Sequence, residues 1–99
     1  MKQSNIDAIK RVVIPIAKTY GIKRAYLFGS HARGSATADS DIDILIDKGS
    51  LKGLIQYFSF VNALEDAFKC HVDVVTTAIS DKEFLSNIRS DEVLLYEED

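Results

Sequence analysis

Residues 40–47 read SDIDILID, and this stretch alternates with a period of two. Ile42, Ile44 and Ile46 fall on one side of an extended chain, and Asp41, Asp43 and Asp47 on the other. Such a segment is a strand with one face in a core and one face acidic. It obliges the rest of the chain to supply neighbouring strands and an apolar cover for the isoleucines.

Those partners are visible in the pattern. Ala25-Tyr26-Leu27-Phe28 is a short apolar run ending at Gly29, the shape of a buried strand. His71 to Thr77, HVDVVTT, is a β-branched strand carrying one acid, Asp73. Ile6, Ile9, Val13, Ala17 and Tyr20 recur at helical spacing, with Ser4 placed to cap and Gly21 to terminate. Pro15 falls inside this pattern and predicts a kink or interruption. Leu51, Leu54, Ile55, Phe58, Val61, Leu64 and Phe68 form the strongest helical stripe and are expected to be core. Tyr57 and Phe60 fall off that stripe, which suggests a surface for a partner or a second copy. Ser80-Asp-Lys-Glu83 is a capping box ahead of Phe84, Leu85 and Ile88, and predicts a last helix. The tail, VLLYEED, is apolar and then acidic. The expected order is α-β-β-α-β-α, an α/β (α+β) domain over residues 1–99 with helices packed on a small mixed sheet.

Composition narrows the function. With 99 residues, 46% of them hydrophobic and 27% charged, the chain reads as one globular domain. The net charge of −3 argues against affinity resting on a nucleic-acid backbone, so no direct nucleic-acid binding is expected. Charged residues punctuate every apolar segment, so no membrane span is expected either. Cys70 is the single cysteine, which rules out an internal disulfide and fits a cytoplasmic protein.

The chemistry sits on the alternating strand. Asp41 and Asp43 project side by side, repel one another, and invite a divalent cation. Asp73 joins them if its strand is a neighbour, and three such acids can hold two metal ions. A D-x-D alone is usually only the solvated face of a strand, and Asp47 adds a further acid on the same side. The Gly29-Ser30 pair shifts the balance. It follows an apolar strand, and its backbone N–H groups can cradle phosphate oxygens, with Arg33 about one turn further on. Phosphate groups and a carboxylate metal site serve one task, the handling of a metal-bound nucleoside triphosphate.

Gly29-Ser30, ten intervening residues, then Asp41-x-Asp43 resembles the nucleotidyltransferase motif of the DNA polymerase β superfamily. FGSHARGSATADSDIDILI, with Arg33-Gly34 and Ser40, is similar to its minimal nucleotidyltransferase (MNT) branch, and Asp73 matches the third acid by context. The resemblance implies a polymerase β-like fold. It implies that Asp41, Asp43 and Asp73 are catalytic and ligate Mg²⁺, two ions in all. It implies further that Gly29, Ser30, Arg33 and Ser40 contact the nucleotide. The reaction implied is transfer of AMP from ATP to a hydroxyl.

A chain that ends soon after Asp73 leaves little to grip a template or a drug, whereas a protein acceptor brings its own surface. The MNT branch is similar to the antitoxin half of two-component systems whose partner is a HEPN-domain ribonuclease toxin, modified on a tyrosine. Two alternatives stand beside this: a module that neutralises the HEPN partner by contact alone, and a free-standing enzyme acting on a small molecule. His31 reads as an exposed loop residue, His71 lacks zinc spacing, and Cys70 reads as a small buried residue. The terminal acids read as a solvated tail or a contact with a basic partner.

Overall fold

The computed structural model describes residues 2–37, 40–77, 82, 83, 86 and 92–98, with side chains from residue 6 onward. Its elements are α1 (Lys2–Tyr20), β1 (Arg24–Phe28), α2 (Gly29–Arg33), β2 (Ile42–Asp47), α3 (Gly53–Phe68), β3 (Val72–Thr76) and β4 (Val93–Glu97). The strands form one mixed sheet in the order β3-β2-β1-β4. β1 pairs antiparallel with β2 and with β4, and β2 pairs parallel with β3. The expected α/β architecture with a small mixed sheet is what forms.

The isoleucines of β2 build the core. Ile42, Ile44 and Ile46 are buried together with Ala25 and Leu27 of β1, Val72 of β3 and Leu95 of β4. Ile9, Val13 and Ala17 of α1 and Phe60 and Leu64 of α3 cover the same face. Tyr20 and Phe60 meet edge to face, with centroids 5.7 Å apart, and tie the two helices together.

Four expectations are corrected. α1 begins at Lys2, so Ser4 lies inside the helix, and the element runs through Pro15 without interruption. The Pro15 ring is exposed while Val13 and Ala17 on either side are fully buried, so packing outweighs the one missing N–H donor. Gly21 ends the helix as expected, with φ +70°. Of the expected core stripe, Leu51 and Leu64 are buried and Phe68 packs against the core, but the first turns of α3 present another face inward. Phe60 is fully buried, and the Tyr57 hydroxyl donates to the Val74 carbonyl at 2.8 Å, whereas Leu54 (71% exposed), Ile55 (85%) and Phe58 (56%) face outward. Apolar residues occur on both faces of the first turns of α3, so periodicity could not choose between them.

The third correction is α2, which extends the Gly29-Ser30 turn through His31 to Arg33 and closes on Gly34 with φ 76°. The fourth is the tail, where Val93–Glu97 is a fourth strand absent from the expected order, with Glu97 and Glu98 exposed at its end. Ala25 pairs with Tyr96 and Tyr26 with Leu94, so Leu95 is the extra residue of a bulge, and it drops into the core at 2% exposure. Arg24 donates to Glu97 at 2.9 Å and lies 3.6 Å from Asp47, bridging three strands at one end of the sheet. Of the expected last helix, Ser80, Asp81, Phe84, Leu85 and Ile88 lie outside the described residues.

Candidate active site

The sheet carries its acids at the end remote from the Arg24 bridge. Parallel pairing of β2 with β3 sets Ile42 opposite Val72 and Asp43 opposite Asp73. One step earlier, Ile42 N–H donates to the His71 carbonyl at 3.2 Å, so Asp41 and His71 flank the same edge. Two segments with a period of two, Asp41-x-Asp43 and His71-x-Asp73, therefore stand side by side with their polar groups facing one way. Asp47, the remaining acid of that face, is neutralised by Arg24 and takes no part.

β1 delivers the glycine. Phe28 pairs with Asp43, and the chain turns at Gly29 directly over that carboxylate. Gly29 has φ +73°, and a Cβ built on it would collide with Asp43 Oδ2. A side chain here is excluded twice, by the left-handed backbone and by the aspartate. The motif's glycine and its second aspartate are in contact, which the linear spacing only suggests.

Electrostatics follow from that crowding. Asp43 has its pKa raised, first by burial, then by the charge of Asp73 and a hydrogen-bonding interaction with it, then by Asp41, with His31 opposing. Asp41, His71 and Asp73 each offer a ligand atom, all within 4.8 Å of one another and all exposed. Oxygen donors repelling at close range on an open surface fit a hard divalent cation.

Other expected residues behave differently. The Ser40 hydroxyl accepts the Thr37 N–H at 2.9 Å and lies 3.3 Å from the Thr37 hydroxyl, so it is engaged within its own loop. The Ser30 carbonyl accepts the Ser35 N–H at 2.9 Å, which pins the loop after α2. Arg33 is exposed at the end of α2. His31 is half-buried rather than an exposed loop residue, and lines a cavity of about 290 Å³ with Ala8, Ile9, Val12, Ile42 and Phe68.

Sequence reasoning passed over His71 and Glu65. His71 Nε2 lies 2.7 Å from Asp73 Oδ1, and Nδ1 lies 3.1 Å from Glu65 Oε2. The hydrogen bond to Asp73 and its charge raise the His71 pKa above its ordinary value, burial opposes them, and the charges of Asp41 and Glu65 add to the rise. The available signal was the H-x-D spacing, the same period of two that singles out D-x-D.

A glycine turn closed on a carboxylate, with a second acid beside it on a parallel strand, defines the class of the nucleotidyltransferases. The chain belongs to the polymerase β nucleotidyltransferase family, whose model matches residues 11–99. It is 44% identical over 72 residues to a candidate protein adenylyltransferase of Methanocaldococcus jannaschii, covering 73% of this chain and 77% of that one. A structure described as a minimal nucleotidyltransferase superposes with TM-score 0.78 and 26% identity, over 94% of this chain and 95% of the other. A chain in the complex of a tri-AMPylated HEPN toxin with an MNT antitoxin from Shewanella oneidensis shares the fold. There the TM-score is 0.63 and the identity 22%, over 99% of this chain and 74% of that chain. No helix among the described residues is long and apolar enough to cross a membrane.

Proposed function

We propose that this chain transfers AMP from ATP to a hydroxyl of a protein acceptor, a tyrosine of a HEPN toxin, and so acts as its antitoxin. The observation that carries the reading is the placement of Asp73 beside Asp43 by the parallel register, with Gly29 closed over Asp43. The relative named for protein adenylylation, and the toxin–antitoxin complex whose toxin carries AMP, support the acceptor class.

In this reading Asp41, Asp43 and Asp73 would hold two Mg²⁺ ions, which would supply positive charge to the triphosphate. Gly29 and Ser30 present backbone N–H groups to the phosphates, and Arg33 contributes a further phosphate contact. Asp73 takes the proton of the acceptor hydroxyl. The acceptor oxygen bonds to the α-phosphorus, the bond from that phosphorus to the bridging oxygen breaks, and pyrophosphate leaves with that oxygen. Positioning and electrostatics carry the rate, without a covalent protein nucleophile.

The test uses labelled ATP and Mg²⁺ with a HEPN protein, which this reading expects to be encoded beside this gene. Wild-type chain and the Asp41→Asn/Asp43→Asn variant are compared. Label on the HEPN protein that is lost in the variant is the expected result. A HEPN protein silenced without label would establish inhibition by contact alone and overturn the transfer.

A further inference from the structure

One chain of polar groups enters the site from the helical layer. Glu65 stands in the last turn of α3, and its Oε2 accepts the Val72 backbone N–H at 3.1 Å. The same oxygen lies 3.1 Å from His71 Nδ1, and His71 Nε2 lies 2.7 Å from Asp73 Oδ1. The Glu65 side chain is the least exposed of the three, 31% against 57% for His71 and 51% for Asp73, so the anchored end is the protein end.

We infer that Glu65 and His71 are positioning residues that hold the Asp73 carboxylate by one oxygen and leave the other for cation and acceptor. The inference rests on the proposed reading of Asp73 as a metal-holding residue. Asp41, His71 and Asp73 all lie within reach of one ion, but both ring nitrogens of His71 already face a carboxylate oxygen. A carboxylate on an exposed strand edge rotates freely unless something grips it. Here the grip passes through the imidazole to a helix and to the first N–H of β3. Hydrogen-bond partners behind metal ligands typically govern affinity by about 10- to 100-fold.

Mn²⁺ binding to the full chain, without nucleotide or partner, is read by electron paramagnetic resonance. His71→Ala is expected to weaken it about tenfold, and Glu65→Gln, which removes the charge but keeps the accepting oxygen that faces His71, to weaken it less. Because both act through one chain of bonds, the double variant binds no more weakly than His71→Ala alone. His71→Gln, whose amide N–H still reaches toward Asp73, recovers much of the loss. Glu65→Gln keeps an acceptor for the Val72 N–H, so a circular-dichroism melt close to wild type is expected alongside the weakened binding. Unchanged binding in His71→Ala, or additive losses in the double variant, overturns the inference. A loss in His71→Ala as deep as in Asp73→Asn makes the histidine a direct ligand and overturns it as well. If Asp73→Asn itself binds Mn²⁺ like wild type, the metal-site reading falls and the inference falls with it. Wild-type binding confined to the Glu65 and His71 variants removes the positioning chain alone.

Discussion

Asp43 and Asp73 stand opposite one another in the parallel pairing of β2 with β3, and the charge of Asp73 helps to raise the pKa of Asp43. The largest cause is the burial of Asp43, over which Gly29 closes. Its raised pKa means that the folded chain binds more protons than the unfolded chain just above the ordinary aspartate value of 3.8. Stability therefore falls as pH rises through that window, and the penalty is complete above the folded-state pKa. Asp43→Asn removes this component. Denaturant melts of the metal-free proteins at several pH values should show the variant gaining on wild type as pH rises, with the gap levelling off near neutrality. A gap that narrows with pH would mean that the carboxylates do not oppose one another. The same variant should retain less than a hundredth of the transfer rate, measured with labelled ATP.

The Gly29 contact gives a second, sharper comparison. Gly29→Ala meets both a left-handed backbone and the Asp43 carboxylate, whereas Gly53→Ala, at φ +71°, meets only the backbone because nothing lies within 4 Å. Conformation alone costs roughly 1–2 kcal/mol. Gly53→Ala should lose about that much, and Gly29→Ala clearly more, along with nearly all transfer activity. Equal losses in urea melts would show that the aspartate is not where the structure places it.

The two stripes of α3 can be told apart by truncation. Phe60 is fully buried, so Phe60→Ala should destabilise by about 3–5 kcal/mol. Ile55 is 85% exposed, and Ile55→Ala should change stability by less than about 0.5 kcal/mol. The reverse order in chemical denaturation would restore the stripe that periodicity favours.

What the sequence made legible was whatever follows from neighbours in the chain. The alternation of β2 is local, so its two faces, Asp41 and Asp43 could be read directly, as could the turn at Gly29-Ser30. Asp73 was legible as a strand acid that joins the pair if its strand is a neighbour, and its place beside Asp43 depends on a parallel pairing across α3. Glu65 and His71 were not legible as a pair: one is a helix residue on an apolar segment, and the other was judged by zinc spacing rather than by its period-two relation to Asp73. β4 was hidden by its bulge, since Leu94 and Leu95 in succession break the alternation that marks a strand. Pro15 misled in the opposite sense, because a local rule about helix interiors yields when buried side chains flank it.

A divalent cation should act on stability as well as on chemistry. Asp41 and Asp73 come within 4.8 Å of one another, and Asp43 repels Asp73 beside them, so a cation binding there favours the folded chain over the unfolded one. At a hundred times its dissociation constant, such an ion stabilises by about 2.7 kcal/mol. For a domain of this size that is a rise in melting temperature of roughly 10–20 °C. Titration of Mg²⁺ or Mn²⁺ into the wild-type chain, followed by thermal melting, should show this rise and its reversal by a chelator. Asp41→Asn/Asp43→Asn should melt at a temperature that the ion does not change. The control is Asp47→Asn. It removes an acid from the same strand face, but one that Arg24 already neutralises at the far end of the sheet, so its response to the ion should match wild type. If Asp47→Asn lost the response as well, the ion would be answering to the general acidity of the strand rather than to a built site. If only the Asp41 and Asp43 substitutions abolish it, the pair set two apart on β2 is the site.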